Sequence, residues 1–104
     1  MIPTVKQLDS PWAAEFNARL ADGSIPLPTA VAWWHEKWRT ATLDISPFDL
    51  GDAEFAAYGI GFYDRAINES HGVPGAAAAY EIDKQRCWAD LERARSEALR
   101  RNRN

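Results

Sequence analysis

The chain is short of the residues that carry chemistry. Its 104 residues include one cysteine, Cys87, and two histidines, His35 and His71. A single cysteine excludes an internal disulfide framework and fits a reducing compartment. Cys87, His35 and His71 match no zinc finger or ribbon spacing, so neither a metal nor another cofactor is expected. His35-Glu36 opens like a zinc-protease helix, but Arg39 stands where the second histidine belongs. Gly59-Ile60-Gly61 lacks the third glycine and the preceding strand of a nucleotide-binding fingerprint. Cys87, next to Trp88 in a helical stretch, reads as a small core residue rather than a nucleophile. An enzyme is not expected from this inventory.

Long hydrophobic runs are missing too. No segment approaches the roughly 18 apolar residues of a membrane span, and Met-Ile-Pro-Thr does not open a secretory leader. The expected location is the cytoplasm. Positive charge is absent from residues 40–64, which hold Asp44, Asp49, Asp52, Glu54 and Asp64 without a lysine or arginine. The opposite imbalance closes the chain, where Arg93, Arg95, Arg100, Arg101 and Arg103 face one acid, Glu97. A net charge of −3 therefore hides an acidic middle and a basic end.

What is abundant is helical periodicity and tryptophan, five in all. Residues 1–104 read as one all-α domain: a compact four-helix fold with a buried central third helix and a long C-terminal helix. Residues 1–9 lack periodicity and are expected to form an extended arm, with Val5 and Leu8 laid on the body. The first helix is expected at about 11–22, with Ser10 as N-cap, Pro11 at the first position and Gly23 as the stop. Trp12, Phe16 and Leu20 recur at i, i+4 and i+8 on its core face. The prolines of residues 23–28 make a stiff connector to a second helix at about 29–41. There Val31, Trp34 and Trp38 form the apolar line, and Trp33 is left at the core edge or on the surface. Ser46-Pro47-Phe48-Asp49 has capping-box spacing within a loop that has room for one helical turn.

The third helix, about 52–70, carries two apolar stripes. Phe55, Gly59, Phe62 and Ala66 form one, and Ala56, Ile60, Tyr63 and Ile67 the other. Two neighbouring stripes imply a helix covered on more than one side. Gly59 and Gly61 each cost about 1 kcal/mol of helix propensity, which makes sense where a neighbour needs the space. Gly72 and Pro74 end this helix. The fourth runs from Ala76 to about Arg101, with residues 102–104 frayed. Its seam is Tyr80, Cys87, Leu91, Ala94 and Ala98, widened by Trp88. At 1.5 Å per residue it spans about 39 Å, so its last turns are expected to overhang the body or meet a partner.

Three functions are compatible with these features. The first is a small non-enzymatic protein–protein interaction module, an adaptor or an inhibitor of a larger assembly. It would bind a partner with a basic surface through Trp33, Asp44, Asp49, Asp52 and Glu54, or self-associate into an oligomer through the last helix. The second is a nucleic-acid accessory protein that contacts phosphates through Arg93, Arg100, Arg101 and Arg103. The third is an enzyme or small-ligand binder with a cleft lined by His35, Tyr63 or Cys87.

Overall fold

The computed structural model describes residues 10–41 and 46–102. The expected arm at 1–9, Asp44 and Arg103 lie outside them. The fold is all-α, with four helices: α1 (Ala13–Ala21), α2 (Leu27–Thr40), α3 (Asp52–Glu69) and α4 (Ala76–Asn102). A 3-10 turn at Pro47–Asp49 leads into α3. Among the described residues, no helix is long and apolar enough to cross a membrane.

The core is built on tryptophan. Trp12, Phe16 and Leu20 of the first segment pack against Ala30, Val31 and Trp34 of α2 and Ala56, Ala57 and Ile60 of α3. Trp34 is fully buried, stacks on Trp38 at 5.2 Å between ring centroids, and meets Trp12 edge-on at 6.4 Å. Offset and edge contacts of this kind add stability beyond the apolar area they bury. From α4, Leu91 is fully buried, with Cys87, Trp88 and Ala94 packed beside it. The periodic seam of α4 therefore faces the body.

Helix ends differ from expectation in informative ways. Helix α1 starts two residues late, with Trp12 at the cap position. Ser10 does not cap it, because its hydroxyl is bonded to Glu54 instead. Helix α2 starts two residues early, at Leu27, because proline suits a first turn where no N–H donor is needed. Gly51 holds the N-cap of α3, and Asp52 occupies the first helical position, where a carboxylate favours the helix dipole. The Ser46 hydroxyl accepts from the Phe48 N–H at 3.3 Å, so the capping signal organises a single 3-10 turn. Between α3 and α4, Gly72 and Gly75 have φ of 91° and 81°, a region that favours glycine.

Helix α3 is the central element, packed against α4, α2 and the 3-10 turn, while α1 lies on α2 and α4. Its glycines work as spacers on opposite sides. A Cβ on Gly59 would lie 2.6 Å from Cys87 Sγ, and one on Gly61 would overlap the His35 ring. Positions 59 and 61 sit about 200° apart around the helix. Cys87 and His35 are thus separated by α3 and do not share a site. The stripe assignment needs one correction. Ala56, Ala57 and Ile60 are buried, but Phe55 and Phe62 of the other stripe are exposed. Small residues allow α2 and α4 to pack closely on α3, and among the described residues no helix covers the two phenylalanines.

Candidate interaction surface

The uncovered stripe of α3 is the outstanding surface feature. Phe62 is 51% exposed, Phe55 42%, and Phe48, carried beside it by the 3-10 turn, 80%. Single exposed apolar residues are ordinary, but a contiguous aromatic set is not. Phe48 and Phe55 lie 6.0 Å apart between centroids, Tyr58 and Phe62 6.2 Å and nearly parallel, and Phe62 and Tyr63 5.3 Å and edge-on. Together with Gly59, Asp83, Arg86 and Cys87 these rings line an open cleft of about 250 Å³ between α3 and α4. Lys84 of α4 reaches Asp64 of α3 at 2.6 Å and ties the two helices together beside the cleft. That carboxylate also raises the Lys84 pKa through its hydrogen bond.

The cleft is apolar and chemically quiet. Asp83 and Arg86 supply its charge, and they sit 4.0 Å from each other. Burial pushes the Cys87 thiol and the Tyr63 hydroxyl up from their ordinary pKa values, which keeps both protonated. His35 lies across α3, its Nε2 2.6 Å from the Ala57 carbonyl oxygen; as the donor there it is fixed in one tautomer. Burial lowers the His35 pKa, against a smaller opposing effect of that hydrogen bond. The clefts beside His35 are lined by Trp38, Tyr58, Phe62 and Arg65 on one side and by Glu36 and Arg39 on the other. No nucleophile stands next to a base in any of these places.

The residues expected to meet a partner are scattered by the fold. Trp33 is half-buried at the core edge, with the Arg19 guanidinium 3.9 Å from its ring centroid and Lys37 at 5.7 Å. Cation–π contacts of this kind occupy the indole and withdraw it as a free anchor. Glu54 is only 5% exposed, accepting from the Ser10 hydroxyl at 3.0 Å and from the Trp34 indole N–H at 3.3 Å. It is a core acceptor and takes no part in an acidic face. Asp49 is half-buried and Asp52 exposed, so of the expected acidic patch these two remain near the surface.

The arginine-rich end divides as well. Arg93 leans on Asp90 at 3.4 Å and Arg101 on Glu97 at 3.7 Å, both exposed pairs, and Arg100 is exposed. Arg95 turns inward, donating to the carbonyl oxygens of Leu20 at 2.9 Å and Arg19 at 3.4 Å, and to that of Ile25. It ties the C-terminal end of α1 to the connector at Ile25, sharing the Arg19 carbonyl oxygen with the Asp22 N–H. Leu99, one turn further, lies 4.0 Å from where a Cβ on Gly23 would stand. The end of α4 therefore packs on the C-terminal end of α1 and the connector after it as far as residue 99, so the last turns do not overhang before that point.

Sequence reasoning missed Phe48, Phe55 and Phe62 as surface residues. The signal was present in the surplus apolar stripe of α3, read as a second buried face. No protein-family model, curated protein sequence or solved structure matches the chain.

Proposed function

We propose that this chain is a small non-enzymatic protein–protein interaction module, an adaptor or an inhibitor of a larger assembly, and that its binding face is the Phe48–Phe55–Phe62 stripe. The observation that carries this reading is the exposure of three phenylalanines along one continuous cleft beside the central helix. Aromatic side chains in a shallow apolar groove are the usual anchors of protein interfaces. Asp52 and Asp90 border the stripe beside Phe55 and leave its rim partly acidic. Helix-in-groove docking suits a stripe with this spacing.

The test replaces Phe48, Phe55 and Phe62 by serine. Because the rings stand outside the buried core cluster, helicity is expected to be unchanged; Phe48→Ser should shift stability by no more than about 0.5 kcal/mol, and Phe55→Ser and Phe62→Ser by about 1 kcal/mol each. Proximity labelling in the source cells is expected to lose its strongest neighbours, an untagged second copy of this chain counted among them. An identical neighbour set for variant and wild type would reject the reading.

A further inference from the structure

We infer that the occupant of this stripe is α3 of a second copy of the same chain, running antiparallel, so that the module is a homodimer in its resting state. The inference rests on the reading of the stripe as an interaction face. The symmetry of the stripe and the distribution of its charges select a copy of the chain over another occupant.

The stripe reads the same from either end. Asp52, Phe55, Tyr58, Gly59, Phe62 and Arg65 are placed symmetrically about the Tyr58–Gly59 bond, with an acid at one end and a base at the other. Two antiparallel α3 helices related by a two-fold axis at that bond bring Phe55 to the level of Phe62 of the partner subunit. They bring Asp52 to the level of Arg65 of the partner subunit by the same operation, twice per dimer. A self-complementary patch of this kind is what an isologous interface requires.

Charge then chooses the direction. Asp52 and Arg65 are exposed and make no ion pair among the described residues. A parallel pairing would set Asp52 against Asp52 and Arg65 against Arg65, whereas the antiparallel pairing sets acid against base at both ends. On α4, Asp83 and Arg86 line the same cleft with opposite signs, so the middle of the interface does not repel its own copy. A uniformly basic helix, the other natural occupant, would be met by Asp52 at one end and opposed by Arg65 at the other.

Geometry sets the strength. From Asp52 to Arg65 the stripe is about 20 Å long, shorter than a permanent dimer uses, so a dissociation constant of about 1–50 µM is expected. Sedimentation velocity on the full chain from about 1 to 200 µM covers that range. The wild type is expected to move from monomer to dimer, and the Phe55→Ser, Phe62→Ser variant to remain monomeric with unchanged helicity. Asp52→Arg alone and Arg65→Asp alone should each weaken the dimer about tenfold. The two together in one chain should restore it to within about threefold, since the swap rebuilds both pairs.

A wild type that stays monomeric throughout overturns the inference, as does a double swap no tighter than either single change. If the chain is monomeric and the serine variant still loses a different protein in proximity labelling, the homodimer fails while the interaction face stands. If that variant loses nothing, both fail.

Discussion

Glu54 and His35 show how single residues were diverted from the surface into the fold. Glu54 sits in the first turn of α3 with its two carboxylate oxygens divided between Ser10 and Trp34. Glu54→Ala would leave the Trp34 indole N–H and the Ser10 hydroxyl without their acceptor, and should cost about 1–3 kcal/mol in a denaturant titration. Ser10→Ala should cost less, about 1 kcal/mol, because the Trp34 bond remains. His35 predicts a pH dependence. Its folded-state pKa lies below 6.5, chiefly through burial, so the unfolded chain takes up the proton first as pH falls. Its contribution to stability is complete above 6.5 and is lost as pH drops below that value. Thermal melts between about pH 8 and 5.5 should show this slope in the wild type and lose it in His35→Gln, which keeps a donor for Ala57 but does not titrate. Neither residue's placement was legible in the sequence. An acid at a helix N-terminus looks surface-bound by default, and Ser10 looked like a cap because nothing local shows that a carboxylate 44 positions away competes for it.

At the scale of elements, α3 and α4 carry the argument. Boundaries of all four helices were readable to within about two residues, because proline, glycine and apolar spacing mark them locally. The seam of α4 was equally plain, since Tyr80, Cys87, Trp88, Leu91 and Ala94 are its only run of large or apolar residues at helical spacing. Which stripe of α3 would be buried was not. Both are apolar, and the choice depends on whether Cys87 and Leu91 fit better over glycine and alanine than over phenylalanine. Gly59, which interrupts the phenylalanine stripe, is the point at which α4 meets that stripe by close approach: Gly59→Ala should gain helix propensity of about 1 kcal/mol and lose more to the Cys87 clash. Combining it with Cys87→Ala should recover part of the loss, a coupling that a double-mutant cycle measures. Arg95 makes the matching case on α4. Sequence grouped it with the basic end, but it holds the last turn of α1. Arg95→Ala is expected to cost about 1.5–3 kcal/mol, and Arg100→Ala less than about 0.5 kcal/mol.

For the whole molecule, the all-α fold followed from periodicity, whereas the candidate site did not. The residues that looked functional were charged or solitary, namely Trp33, Asp44, Asp49, Asp52, Glu54 and the terminal arginines, while the surface that stands out is made of phenylalanines that composition assigns to a core. Apolar residues declare burial, but they do not declare whether the same chain or another one buries them. That distinction separates a binding module from an ordinary four-helix domain, and concentration-dependent hydroxyl-radical footprinting reads it directly. Phe48, Phe55 and Phe62 are expected to be oxidised readily in dilute protein and to become protected as the chain is concentrated or returned to source-cell extract. Phe16 and Trp34 should stay protected throughout. Phenylalanines protected at every dilution would show that they belong to the core. Phenylalanines reactive at every concentration and in extract would show that nothing covers them, and either result would contradict the account.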